Sequence, residues 1–137
     1  MSTPRSDNLA VLATRAPALA TAIAAVVIPP THQLATTAGG ARTLTIGGVP
    51  LQHLVDPVGE AVRWARATVE RLEAVAATRV VIVGLGLGYH VEALAERFTG
   101  AIVVVEPDLA VLAAACEARD LTQLLGRIVI VGGEHRE

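Results

Sequence analysis

The feature that most constrains the fold of this chain is a group of three glycines that directly follows an unbroken apolar run. The run Val80 to Val83 leads straight into Gly84, Gly86 and Gly88. Continuous apolar runs of this kind predict strands that are buried on both faces of a parallel sheet. Glycine tolerates the positive φ that a sharp reversal requires, and it leaves the backbone open to close approach. The pattern therefore predicts a strand, a tight turn and a helix whose free N–H groups face that turn.

The segments after this turn continue to alternate between strand and helix. Strands are predicted at residues 79–83, 101–105 and 127–131, helices at 88–98 and 108–118, and a helical turn at 121–125 closed by Gly126. Right-handed crossovers would make the three strands parallel, in the order third, second, first. The predicted fold class is α/β, with a Rossmann-like three-stranded parallel half-sheet of order 3-2-1.

The N-terminal region is predicted to add a helix. Residues 1–6 have no structural signal, and Asp7 or Asn8 can cap a helix that continues to about Val27. Pro17 is expected to kink this helix or to divide it in two.

A small β-hairpin is predicted to follow the helix. Residues 33–37 and 42–46 are β-prone and flank a Gly-Gly turn, and residues 49–55 are predicted to add a short third strand. Asp56-Pro57 then begins a helix that runs to about residue 77. The chain is therefore divided into residues 1–55, a helix and β-hairpin element, and residues 56–137, a nucleotide- or nucleoside-binding half-domain.

Composition argues against several classes of function. The net charge is −2, so there is no basic excess for binding nucleic acid. The longest apolar stretch, residues 16–30, is shorter than the ~20 residues that a membrane span needs. The single cysteine, Cys116, cannot form an intrachain disulfide, and no zinc-binding spacing is present, so no metal is expected. A lone cysteine, expected in the core, fits a cytoplasmic protein.

An acidic residue at the end of the second strand is the main candidate partner for the glycines. Glu106 lies 22 residues after Gly84. In Rossmann-like domains an acid at this place accepts hydrogen bonds from ribose hydroxyls. Asp108 is then expected to cap the next helix. The alternatives stay open: Glu106 as a solvated loop acid, and the glycines as a tight turn without a ligand.

Two residues after the last glycine of the turn complete the candidate cofactor-binding set. Tyr89 is positioned either to stack on a base or to pack on the loop. His90 lies in the first turn of the helix, where it could contact a phosphate or carboxylate, or simply face solvent. No Ser-His-Asp or Cys-His arrangement and no pair of carboxylates indicates catalysis.

The glycine spacing distinguishes among cofactors. It is G-x-G-x-G and not the dinucleotide fingerprint G-x-G-x-x-G, because Tyr89 stands where that fingerprint has glycine. The turn is similar to the first motif of S-adenosylmethionine-dependent methyltransferases and of spermidine synthases. S-adenosylmethionine and a nucleotide are therefore both expected as candidate cofactors.

Three segments together resemble a known family. They are the helix start D-P-V-G-E-A at residue 56, the turn G-L-G-L-G-Y-H at residue 84 and the strand end V-E-P-D at residue 105. They resemble the N-terminal region of the motility accessory factor family of bacterial proteins linked to flagellin glycosylation, over about residues 50–131. The resemblance implies a second, larger domain with transferase chemistry on a nucleotide-activated sugar, and it assigns no catalytic residue here.

Three functions are consistent with these observations. The first is a Rossmann-like ligand-binding module of a motility-accessory-type glycosyltransferase that is not catalytic alone. The second is a methyltransferase-like domain that binds S-adenosylmethionine, and the third is a structural or oligomerisation domain with a vestigial crevice. Three parallel strands leave an apolar face or edge, which is expected to be covered by the N-terminal helix and hairpin or by another copy of the chain. The expected partner is therefore a second copy, or a C-terminal domain that is missing from this chain.

Overall fold

The chain folds into two small sheets and six helices in the part that the structure describes. The structure is a computed structural model that describes residues 3–52 and 55–133. In chain order the elements are α1 (Pro4–Ala13), α2 (Pro17–Ala24), β1 (His32–Thr36), β2 (Arg42–Ile46), β3 (Val49–Pro50), α3 (Pro57–Ala74), β4 (Arg79–Val83), α4 (Tyr89–Ala95), β5 (Ala101–Glu106), α5 (Leu109–Ala118), α6 (Thr122–Arg127) and β6 (Val129–Gly132).

The second sheet confirms the predicted α/β class with a three-stranded parallel sheet. Its strands lie in the order β4-β5-β6, and both pairs are parallel. In the register, Ile82 lies opposite Val104, and Val104 lies opposite Ile130. Because the carboxyl ends of parallel strands meet at one edge, the turn after β4 lies beside the end of β5.

The last strand begins two residues later than the sequence predicts. We expected Gly126 to end a helical turn and the strand to begin at residue 127, but α6 continues through Gly126 to Arg127. Gly126 is not among the glycines with positive φ, so it does not terminate the helix. Packing explains the extension, since Leu121, Leu124 and Leu125 are all buried on one side of this short helix.

The two faces of the parallel sheet differ sharply in exposure. One face, which includes Ile82, Ile102 and Val104, is buried in the hydrophobic core. The other face carries valines from all three strands, and Val81 and Val83 are 58% and 78% exposed. The prediction that both faces are buried is therefore wrong for this chain, because its helices leave these valines uncovered.

The N-terminal hairpin confirms the sequence prediction in type and nearly in bounds. β1 pairs with β2 in antiparallel register from His32 opposite Ile46 to Thr36 opposite Arg42. The predicted third strand is shorter than expected, since only Val49 and Pro50 pair with β2. Part of that prediction, residues 53–54, lies outside the described residues.

The N-terminal helix begins earlier than predicted and is two helices. Thr3 caps α1 in a reciprocal capping box with Ser6, so residues 3–6 belong to an ordered helix start, and neither Asp7 nor Asn8 is the cap. Residues 1–2 of the predicted unstructured segment lie outside the described residues. Pro17 divides the helix, because it occupies the first turn of α2, where its missing N–H is not needed. The second helix ends at Ala24, before the expected Val27.

Asn8 connects α1 to the end of α5 and the start of α6 through three hydrogen bonds, two of them buried. Its Nδ2 donates to the carbonyls of Cys116 and Arg119, at 2.8 and 2.6 Å, and its Oδ1 accepts from Leu121 N–H at 2.8 Å. The side chain is fully buried. It therefore satisfies carbonyls that the end of a helix leaves without partners.

Cys116 and α3 agree with the sequence predictions. Cys116 is buried, and this burial raises the pKa of its thiol to about 11, with Arg5 opposing the rise. Asp56 caps α3 by accepting a hydrogen bond from Gly59 N–H at 2.9 Å. Within the described ranges, no helix combines the length and apolar character needed to cross a bilayer.

Candidate functional site

A cavity lies at the carboxyl edge of the parallel sheet, between the glycine turn, α3 and the N-terminal hairpin. Its volume is about 640 Å³, which is within the range of small-molecule sites. It is lined by Ile46, Leu51, Gln52, Pro57, Glu60, Ala61, Trp64, Gly84, Gly86, Leu87, Gly88, Tyr89, His90, Glu106, Asp108 and Val111. All six predicted site residues therefore line one cavity.

The glycine turn owes its shape to backbone conformations that other residues rarely adopt. Gly84, Gly86 and Gly88 have φ values of +94°, +55° and +86°. The turn is held to the sheet because Gly84 N–H donates to the Val105 carbonyl at 2.7 Å. Gly88 then forms the N-cap of α4 without a side chain. The three glycines thus present bare backbone to the cavity.

The Glu106 carboxylate is buried and is bound by backbone amides of the turn. Its Oε1 accepts from Leu85 N–H at 3.0 Å and, more weakly, from Gly86 N–H at 3.5 Å. Its Oε2 accepts from Asp108 N–H at 3.1 Å. The residue is only 6% exposed, and its carboxylate makes no ion pair among the described residues. Glu106 therefore fixes the shape of the glycine turn by filling the position at which its amides converge.

His90 lies between the glycine turn and α3. Its Nε2 is 3.1 Å from the Gly84 carbonyl, which assigns the proton to Nε2 because a carbonyl can only accept. The ring of Trp64 meets the imidazole edge-on, with 5.3 Å between ring centroids. Burial lowers the pKa of His90 below its ordinary value of 6.5, and the Gly84 carbonyl and the Glu106 charge oppose this only in part. At neutral pH the imidazole is therefore uncharged, with Nδ1 as an acceptor.

The lowered pKa of His90 predicts a loss of stability in mild acid. Where a histidine pKa is lower in the folded state, the unfolded chain binds more protons, so stability is complete above pH 6.5 and falls as pH decreases below it. We expect the free energy of unfolding to fall less between pH 8 and pH 5.5 in His90→Gln than in the parent chain. Urea unfolding at both pH values measures this, and the pH 8 values serve as the internal control. An equal fall in both proteins would contradict the prediction.

Tyr89 packs beneath the turn. It is 8% exposed, and its hydroxyl donates to the Arg42 carbonyl at 2.7 Å. The Arg119 guanidinium lies 3.9 Å from the ring centroid and is held there by hydrogen bonds to the Leu87 carbonyl and to Glu92. Of the two roles predicted for Tyr89, the structure shows packing on the loop, and it leaves one edge of the residue in the cavity wall.

The N-terminal hairpin supplies the opposite wall through Gln52. The Gln52 Oε1 accepts from Leu44 N–H at 2.8 Å, which fixes the orientation of the side-chain amide. Its Nε2 consequently faces the glycine turn, and a methyl group added to Gly86 would lie 3.1 Å from that nitrogen. The hairpin therefore adds an oriented N–H donor to the site.

A second contact between the hairpin and the half-sheet involves His32 and Asp108. His32 Nε2 lies 2.8 Å from Asp108 Oδ2, while Asp108 Oδ1 caps α5 by accepting from Ala110 N–H. Burial alone would raise the pKa of Asp108, but the hydrogen bond from His32, together with backbone N–H donors, holds it below its ordinary value. The expected capping role of Asp108 is confirmed.

Sequence reasoning missed four residues of this site. No signal in the sequence assigned Trp64, His32, Gln52 or Glu60 to the site, yet all but His32 line the cavity and His32 contacts a lining residue. Trp64 could have been found from its position on α3 one turn after Glu60. The hairpin residues carry no signal in the sequence, because their proximity to the turn arises only from folding.

The chain is similar to known proteins in sequence and in fold. The family model described as the glycosyltransferase Maf N-terminal domain matches residues 52–134. An uncharacterized protein of Treponema pallidum (strain Nichols) is 36% identical over 99 residues, which are 72% of this chain and 34% of that protein. The solved structure of Maf glycosyltransferase from Magnetospirillum magneticum AMB-1 matches 96% of this chain and 27% of its own, with a TM-score of 0.67 and 18% identity. The chain thus spans about a third of the length of these relatives.

Proposed function

We propose that this chain, which belongs to the family of the glycosyltransferase Maf N-terminal domain, binds a small ligand. On this proposal residues 56–137 form a Rossmann-like half-domain with strand order 3-2-1, and residues 1–55 form an element that closes over it. Any enzyme that contains this domain would be a transferase. The domain would bind a small nucleoside-type ligand and would not be catalytic alone.

One observation carries this proposal. The glycine turn faces a cavity of about 640 Å³ that is lined by apolar walls and a few convergent polar groups. This combination is the usual form of a small-molecule site. Bare backbone at Gly84, Gly86 and Gly88 would allow close approach of a ligand, and Trp64 would offer an apolar ring surface.

The polar groups suit recognition of a ligand that donates hydrogen bonds. His90 Nδ1 and the unfilled acceptor positions of Glu106 Oε2 would accept from hydroxyl or amino groups, and Gln52 Nε2 would donate. Both His90 and Glu106 are also held by the backbone of the turn, and groups fixed in this way are preorganised to orient a ligand.

A methyltransferase-like module is the second candidate, and one observation favours it. The described lining residues include the acids Glu60, Glu106 and Asp108 but neither lysine nor arginine. Such a cavity would favour the positively charged sulfonium group of S-adenosylmethionine. Tighter binding of S-adenosylmethionine than of S-adenosylhomocysteine, which lacks that charge, would support this candidate.

Filling the cavity from α3 tests the proposal. Ala61 lines the cavity, whereas Ala67 lies on the exposed side of the same helix. We expect Ala61→Leu to weaken nucleoside binding at least tenfold by occupying ligand space, and Ala67→Leu to leave it unchanged. Calorimetric titration with adenosine, cytidine, S-adenosylmethionine and S-adenosylhomocysteine measures this, with circular dichroism as the check of folding. No binding of any of these compounds to the parent chain would refute the proposed function and leave a structural domain.

We also propose that a second copy covers the open valine face. This face includes Val81, Val83 and Val129, each at least 49% exposed, and apart from Arg79 at its end it is apolar. Two such faces are self-complementary across a two-fold axis. We expect light scattering at high micromolar concentration to give the mass of a dimer and Val83→Glu to give that of a monomer. A monomeric parent chain would refute this.

A further inference from the structure

The position that a phosphate would occupy in the glycine turn is already filled by a side chain of the protein. In phosphate-binding turns, consecutive backbone N–H groups converge on the anion. Here the N–H groups of Leu85 and Gly86 converge on Glu106 Oε1. A buried carboxylate therefore serves as the anion of this turn.

The rest of the described lining offers a phosphate no positive charge. The described lining residues contain no lysine or arginine, and the one imidazole among them, that of His90, has a lowered pKa because of burial. Arg119, at the C-cap of α5, contacts the turn but is engaged by Glu92 and by the Leu87 carbonyl. The helix after the turn, α4, has only seven residues and its N-cap contributes no side chain.

The same carboxylate is suited to a neutral ligand that carries hydroxyl groups. Among the described residues, Oε2 accepts one hydrogen bond, from Asp108 N–H. A carboxylate oxygen can accept two, so Oε2 retains capacity for a hydroxyl donor. The desolvated charge of Glu106 would strengthen such a bond, because hydrogen bonds to ionised acceptors are about twice as strong as neutral ones.

We propose that this cavity selects nucleosides without a phosphate and rejects their phosphorylated forms, because Glu106 occupies the anion position of the glycine turn. This inference rests on the proposed function and specifies its ligand class. On this proposal the turn differs in ligand class from the phosphate-binding glycine loops that it resembles in sequence.

Matched ligand pairs test the inference. We expect calorimetric titration of the full chain to give at least tenfold tighter binding of adenosine than of AMP, and of cytidine than of CMP where cytidine binds. In Glu106→Gln the adenosine-to-AMP ratio is expected to fall below threefold, since the negative charge is removed while the side chain keeps its shape. Glu70→Gln removes an equal charge from the exposed face of α3, outside the cavity, and is expected to keep the parent ratio.

The outcomes separate this inference from the proposed function. If AMP binds as tightly as adenosine, or if the ratio persists in folded Glu106→Gln, the inference is overturned while the ligand-binding role stands. If no nucleoside or nucleotide binds the parent chain, both fail. The melting temperature of each variant establishes that it is folded before titration.

Discussion

Replacing Asn8 with leucine is expected to lower the free energy of unfolding by about 3–5 kcal/mol, because a buried donor or acceptor left unpaired costs about 1–3 kcal/mol. Leucine has the same branched shape but a larger volume, so some of the loss would come from tighter packing. It can neither donate to the carbonyls of Cys116 and Arg119 nor accept from Leu121 N–H. Three backbone groups, two of them in buried hydrogen bonds, would lose their partners between α5 and α6. Urea unfolding monitored by circular dichroism measures the change.

Two further variants test whether the lost hydrogen bonds of Asn8 cause the loss of stability. Asn8→Asp keeps an acceptor for Leu121 N–H but places a negative charge against two carbonyl oxygens, so we expect it to be at least as destabilising as leucine. Asp7→Asn, at the exposed neighbouring position, is expected to change stability by no more than about 0.5 kcal/mol. A loss below about 1 kcal/mol in Asn8→Leu would show that these hydrogen bonds do not support α5.

Replacing Glu106 with leucine is expected to lower the free energy of unfolding by about 2–4 kcal/mol, since the amides around its carboxylate would be left without acceptors. Leu85 N–H and Asp108 N–H would lose their bonds of 3.0 and 3.1 Å, and Gly86 N–H its weaker contact. The loss is smaller than the sum of three bonds because the cost of burying a charge is also removed. The measurement is again urea unfolding.

Glutamine at position 106 is the variant for which we expect an intermediate loss of stability. Glu106→Gln keeps one oxygen for Leu85 N–H, but its amide group cannot accept from Asp108 N–H. We therefore expect its stability to lie between that of the parent and that of Glu106→Leu. If leucine were as stable as the parent, the carboxylate would not hold the turn, and its burial would have to be explained by a ligand alone.

The local features of the fold were predictable because each depends on residues that are close in sequence. The continuous apolar run at residues 80–83 predicted a strand, and the glycines after it allow the backbone to reverse. Asp56 and Asp108 were predicted as helix caps, since a capping side chain bonds to an N–H two or three residues ahead. The candidate site residues on the turn and on the end of β5 followed from the same local rules.

The errors in the element bounds have a common cause. Gly126 was read as a helix stop, and Asp7 or Asn8 as a helix start, from residue type alone. Because Leu124 and Leu125 are buried, α6 continues beyond Gly126. The side chain of Asn8 does not cap α1 but donates a hydrogen bond to the Cys116 carbonyl of α5. Packing thus outweighs the helix-stop preference at Gly126, and at α1 the capping box of Thr3 and Ser6 starts the helix before Asp7 and Asn8.

The sequence by itself determined the parallel strands, the glycine turn and the place of Glu106 at its mouth. Only the tertiary structure decided what that carboxylate binds, because two of its three backbone amide partners lie 20 and 21 residues away in the chain. The tertiary structure also brought Gln52 and Trp64 to the cavity and left one sheet face open. The physical reason is the distance over which each interaction acts. Helix caps and turns depend on residues that are close in sequence, whereas buried hydrogen bonds and apolar contacts form with any group that folding brings near.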